Sequence, residues 1–177
     1  MIQPRKLKAS EIECRVGTIA KGPNIATGLN GPKGVSLLLY KDARCDMAIL
    51  DETFGPFNWK REHSRDNANC TVSVYDSTKN EWVNKEDVGS AGPTEPDKAL
   101  ASDSFKRACV NWGIGRELYT APFIWVPADK LDFYEANGKW NLRDKFDVKK
   151  ISYGEDGSIS ELVIENSKGI QVFSWRA

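Results

Sequence analysis

Along residues 11–19, Ile12, Cys14 and Val16 fall on every second position, the period of a half-buried strand. Residues 21–34 then bring Gly22, Pro23, Gly28, Gly31, Pro32 and Gly34, which predicts a long turn or loop. Val35-Ser-Leu-Leu-Leu-Tyr40 reads as a second strand, giving an antiparallel hairpin with a long connection. After Asp42, a suitable N-cap, the period changes. Cys45, Ile49 and Leu50, and less regularly Met47 and Phe54, fit one helical stripe, which Gly55-Pro56 stops. A strand is expected within 57–63. Residues 69–76 alternate well, Ser77–Asn80 is a turn, and Glu81–Val88 is the returning strand of a hairpin.

Gly89–Thr94 reads as a flexible link, and Thr94-Glu-Pro-Asp announces a second helix with acids in its first turn. Ala101, Phe105, Ala108, Cys109 and Trp112 share one helical face, and Gly113 and Gly115 end it. Residues 122–140 are mixed and aromatic, and no element is assigned there. The segments 146–153, 158–165 and 170–175, joined by Gly-rich turns, predict a small β-meander, either a separate subdomain or an edge extension. The order helix–three strands–helix over 42–112 predicts an α+β fold, a curved antiparallel sheet with helices on one face. The expected division is a core over 1–126 and a C-terminal extension over 127–177, packed on the core or on a neighbouring subunit.

Composition narrows the picture. With 177 residues, 40% hydrophobic and 28% charged, the chain is ordinary for a globular protein, which excludes wholesale disorder. No run approaches the length of a membrane helix, and no apolar segment follows the basic start, so no secretory signal is expected and a cytoplasmic location is. Lys and Arg number 25 against 25 Asp and Glu, so any anion-binding surface must be local. Residues 1–22 are basic and 67–100 acidic. Cys14, Cys45, Cys70 and Cys109 form no CxxC pair, so four reduced, mostly buried thiols are expected and a metal is not. His63, the only histidine, lies in the charged run Lys60–Arg65 and reads as a solvated surface residue rather than a base.

No catalytic set emerges. Gly31-Pro-Lys-Gly34 lacks the frame of a phosphate loop, and Gly113-Ile-Gly115 lacks the third glycine of a dinucleotide fingerprint. The paired acids Glu86-Asp87 and Asp51-Glu52 could serve a metal or acid–base chemistry, but solvated faces far outnumber such sites. A basic constellation is left. On a helical wheel Lys106 lies about 120° to one side of the second helix's apolar centre and Arg107 about 140° to the other. Arg44 opens the first helix and Arg116 follows the second. These cations read either as ordinary solvated surface or as a phosphate-binding groove with Tyr40, Trp59 or Trp112 nearby, Trp112 fitting the core better.

Three blocks carry a resemblance. Ser102-Asp-Ser-Phe-Lys-Arg-Ala-Cys-Val-Asn-Trp-Gly113 resembles a helix of the Rad (fifty-two) family of single-strand annealing proteins, in which a Lys-Arg-Ala triplet precedes an apolar turn. The stretch Tyr40–Trp59 is similar to that family's Tyr…Arg…Leu…Glu…Phe-Gly…Trp block, and Glu86-Asp-Val-Gly89 to its Glu-Asp-Val-Gly. Together they span about 40–119, with the short phage and prophage members the most alike.

The resemblance implies a β-β-β-α core, a ring or helical homo-oligomer, and a basic groove holding single-stranded DNA by its backbone. It implies ATP-independent annealing in recombination and DNA repair, with no cofactor, no hydrolysis and a single-strand-binding protein as a further partner. Lys106 matches the family's DNA-contacting lysine and Arg107 its neighbour; the family's first-helix arginine falls beside Arg44, at Cys45. The expected DNA contacts are Lys106, Arg107, Arg44, Lys98 and Arg116. Three alternatives stand beside this reading: a double-stranded-RNA-binding-like module, which shares the α-β-β-β-α order; a metal-dependent nuclease using Glu86 or Asp87; and a structural phage protein.

Overall fold

The computed structural model describes residues 3–23, 30–92 and 95–177. Eleven strands and two α-helices occur among them: β1 (Ile12–Pro23), β2 (Asn30–Lys41), α1 (Ala43–Phe54), β3 (Trp59–Ser64), β4 (Asn69–Asp76), β5 (Glu81–Val88), α2 (Pro96–Asn111), β6 (Ile124–Pro127), β7 (Phe133–Ala136), β8 (Lys139–Leu142), β9 (Phe146–Tyr153), β10 (Ile159–Asn166) and β11 (Gln171–Arg176). The fold class is α+β, built on antiparallel sheets. Packing divides the chain into two compact units, Met1–Leu7 with Lys41–Arg116 and Lys8–Tyr40 with Glu117–Ala177. The line runs differently from the chain-order division at 126, because the first hairpin joins the C-terminal strands.

In the first unit, the sheet β3-β4-β5 carries both helices on one face. Register explains which residues they cover. Val72 lies between Arg61 and Lys85, and Val74 between Trp59 and Val83. The side chains of these rows point one way, toward the helices. From α2, Phe105, Ala108 and Cys109 are fully buried. Phe105 stacks on Trp59 at 6.3 Å between ring centroids, and Trp112 meets Phe54 edge-on at 5.7 Å. Trp112 is half-buried, and its indole N–H donates to the Val72 carbonyl at 3.0 Å, which satisfies its one polar atom. α1 begins where expected: the Asp42 carboxylate accepts from the Arg44 N–H, and Gly55 ends the helix at φ 86°.

The second unit holds a six-stranded sheet in the order β11-β10-β9-β1-β2-β6, whose edge strands β11 and β6 approach one another as the sheet curls. Its buried side includes Val35, Leu37, Ile124, Val126, Leu162 and Ile164. β7 and β8 form a separate small hairpin.

Three expectations are revised, and one alternative left open is decided. The loop expected over 21–34 is largely strand: β1 runs to Pro23 and β2 starts at Asn30, while 24–29 lie outside the described residues. Gly34 there serves close approach rather than a turn. A Cβ on it would overlap the Val126 carbonyl and lie 2.6 Å from the Trp125 ring. Pro32 lies before the stretch of β2 that pairs with β6, which runs from Gly34 to Leu37. Second, 122–140 holds β6, β7 and the start of β8, each strand four residues long, too short for alternation to be legible. Third, of the two placements left open for the C-terminal meander, the structure has the edge extension, since β9 pairs with β1 through Glu13↔Asp147 and Cys14↔Phe146. Fourth, the link after β5 is tied at its start: the Gly89 N–H donates to the Ala68 carbonyl at 2.8 Å and the Ser90 N–H to Asp103 at 2.9 Å. Residues 93 and 94 lie outside the described residues.

His63 also departs from its reading as a solvated residue. Alternation in β3 puts 59, 61 and 63 on the helix-covered side, so His63 is half-buried with Nδ1 3.5 Å from the Ser104 hydroxyl. Burial, then the charge of Arg61, lowers its pKa. Cys70 and Cys109 are buried, Cys14 and Cys45 half-buried, and none of the four forms a disulfide. Burial pushes the Cys70 thiol up to about 11 and Cys14 to about 12, which leaves both protonated and unreactive at neutral pH.

Candidate nucleic-acid interface

Lys106 and Arg107 are adjacent on α2, so they leave the helix about 100° apart. The structure turns them to opposite sides. Arg107, exposed, reaches β5, where its Nε lies 3.3 Å from the Asp87 carboxylate. Asn111 donates to the other oxygen of Asp87 at 3.3 Å. Part of the Arg107 charge is thus answered within the unit. Lys106 turns the other way, toward α1. Its ammonium has no ion pair within 4.0 Å among the described residues, although its charge reaches Asp46 on α1.

Beneath Lys106 lies a polar contact that the sequence did not reveal. Lys41, only 6% exposed, forms an ion pair with the fully buried Asp46 and donates to the Lys106 carbonyl at 3.2 Å. One lysine at the end of β2 therefore fastens α1 to α2 at the turn that bears Lys106. Gly115 makes room for it: at φ 71° it occupies a conformation that favours glycine, and a Cβ there would lie 2.5 Å from Lys41 Cδ. Oδ2 of Asp46 has no hydrogen-bond partner among the described residues. Burial pushes the Asp46 carboxyl up to about 6, against the opposing pull of Lys41 and Lys106. A lysine next to Tyr40 looks like any solvated lysine, and only the packing of α1 on α2 shows it to be buried.

The other three expected contacts are scattered. Arg44 is exposed on the first turn of α1, with no side-chain ion pair among the described residues. Lys98 pairs with Glu95 at 2.7 Å. It lies eight residues from Lys106, about 12 Å along the helix. Arg116 donates to the carbonyls of Val110 and Asn111 at 3.0 Å, covering the open C-terminal end of α2. Its position has a structural explanation of its own.

Glu86 and Asp87 do not converge. Alternation sends Asp87 to the helix side and Glu86 to the other, where Asn69 and Thr71 donate to it at 2.7 and 3.0 Å. Among the described residues, no three His, Cys, Asp or Glu side chains group as metal donors. No helix among them is long and apolar enough to cross a membrane.

The architecture defines an α+β protein with a two-helix layer on a three-stranded antiparallel sheet and cations at the helix surface. No family model matches the chain, and no solved structure matches it. Among curated proteins it is similar to the single-stranded DNA-binding protein DdrA of Deinococcus radiodurans, 36% identical over 95 residues, 52% of this chain and 45% of that protein. It is also similar to the protein of the same name from Deinococcus deserti, 50% identical over 46 residues, 25% of this chain and 23% of the relative. The matches thus span less than half the length of either relative.

Proposed function

We propose that this protein binds single-stranded DNA in DNA repair and, as a homo-oligomer, anneals complementary strands without ATP. The observation that carries the reading is the similarity to two proteins named for single-stranded DNA binding. The geometry of the first unit supports it. Lys106 and Arg44 present cationic side chains without ion-pair partners among the described residues, while Arg107 is exposed beside Asp87. Such cations hold phosphates without reading bases, as annealing requires, because the bases must stay free to pair. In this reading the chain is not an enzyme, needs no cofactor, and acts in recombination, as the likeness of its sequence blocks to the annealing family implies.

The test is annealing of two complementary oligonucleotides at moderate salt, followed by fluorescence quenching. Wild type accelerates pairing without ATP, and the Lys106→Ala/Arg44→Ala variant, still folded by circular dichroism, loses most of the acceleration. A wild type that neither accelerates pairing nor binds a single strand sinks the proposal. The observed α1-β3-β4-β5-α2 order also suits a duplex-RNA-binding module, and a preference for duplex RNA over single-stranded DNA in the same titration would favour that reading.

A further inference from the structure

The second unit exposes a row of large apolar side chains on the outer side of its curled sheet. Phe123 is 77% exposed, Leu38 47%, Tyr40 38% and Trp125 36%. They share one face. Trp125 lies opposite Ser36, and Ser36, Leu38 and Tyr40 alternate with the buried Val35 and Leu37 along β2. Phe123 precedes Trp125 by two, with Ile124 and Val126 turned inward. β1 contributes to the same side. A Cβ on Gly17 would meet the Leu38 and Ser36 side chains at 3.1 Å, and the Arg15 guanidinium lies over the Tyr40 ring at 5.1 Å. Alternation from Arg15 and Gly17 places the exposed Lys21 on this face as well.

Charge singles the face out. From Arg15 to Tyr40 the sequence holds Arg15, Lys21 and Lys33 and no acid, and 121–128 hold no charge at all, in a chain whose net charge is zero. Arg15 pairs with Glu13, which alternation places on the same face, and Lys33 sits on the opposite face, across Gly22. Exposed rings beside Arg15 and Lys21, with Glu13 the one acid in the same row of β1, suit a polyanion whose flat bases can stack.

We infer that the outer face of β1, β2 and β6 is a second surface for single-stranded nucleic acid, with bases stacked on Trp125, Phe123 and Tyr40 and phosphates met by Arg15 and Lys21. This inference rests on the reading of the chain as a single-stranded-DNA binder, and it adds a site in the unit that does not hold Lys106.

The experiment titrates the full chain against a fluorescein-labelled oligothymidylate of about 20 nucleotides, long enough to cover more than one stacking site. Trp125→Ala/Phe123→Ala weakens binding roughly tenfold with an unchanged salt slope, as loss of stacking does. Arg15→Ala/Lys21→Ala flattens the log–log salt slope by about 1.4, the share of two phosphate contacts on a single strand. Ultraviolet cross-linking of a 5-iodouracil strand to the wild type, which needs no variant to fold, lands on Trp125, Phe123 or Tyr40. Face variants that bind like the wild type, with cross-links confined to α1 and α2, overturn the inference. So does a Trp125→Ala/Phe123→Ala protein of unchanged affinity whose sedimenting mass drops, which would mark the face as a contact between copies of the chain. A wild type that binds no strand overturns the proposed function itself. Loss of binding in Lys106→Ala, with none in the face variants, overturns only the second site.

Discussion

Lys41 and Asp46 are the residues whose behaviour departs furthest from their type. Both are buried, and the pair costs desolvation that its attraction offsets only in part. Lys41→Met leaves a buried carboxyl without its cation and should lower the unfolding free energy by about 3 kcal/mol, read from urea titration. Replacing both, as Lys41→Met/Asp46→Leu, should recover most of that loss. Titration of Asp46 gives a second signature. Its folded-state value of about 6 exceeds the ordinary carboxylate value of 3.8, so the folded protein holds this proton more tightly than the unfolded chain. The contribution is fully present below 3.8 and is lost as pH rises through about 6. The stability difference between wild type and Asp46→Asn should therefore shift against the wild type between pH 4 and pH 7. A difference that stays flat with pH would mean that Asp46 titrates normally.

α2 joins framework and candidate site in one element. Its buried side packs on β4 and β5, its adjacent cations Lys106 and Arg107 diverge, and its last turn is closed by Arg116. Two carbonyls lose their donor in Arg116→Ala, which should cost about 1 kcal/mol in chemical denaturation. The same variant should keep the salt slope of single-strand binding, because the guanidinium is committed to the helix end. A slope flattened by about 0.7 would instead mark Arg116 as a phosphate contact. β2 is bound by a different constraint: Gly34 lets β6 lie close, and a larger side chain there forces the strands apart.

For the whole molecule, zero net charge and a few local cations set the scale of binding. Three phosphate contacts at the helix surface of one protomer give a salt slope of only about −2 at that site, and hence weak binding. Avidity from a homo-oligomer would raise it, because linked sites bind one long strand together. Oligonucleotides long enough to cross several protomers should therefore show a slope steeper than about −2, and short ones should not. Sedimentation of the free protein should show a mass above 19.8 kDa. A monomer with the same slope at every strand length would remove the annealing reading while leaving simple binding intact.

The sequence by itself determined the elements whose periods are long and whose ends are marked. Both helices and the hairpin of β4 and β5 could be placed from stripe, cap and alternation, because those signals come from neighbours along the chain. The splay of Lys106 and Arg107 was legible for the same reason, being fixed by helical geometry alone. Tertiary structure alone decided the rest. Four-residue strands have too little period to be seen, and Gly34 reads as a turn until the strand packed over it is known. The joining of the C-terminal strands to the first hairpin depends on pairing more than a hundred residues apart. The burial of Lys41 against Asp46 and the capping by Arg116 follow from contacts across the fold, where a charged side chain's type says little about its partner.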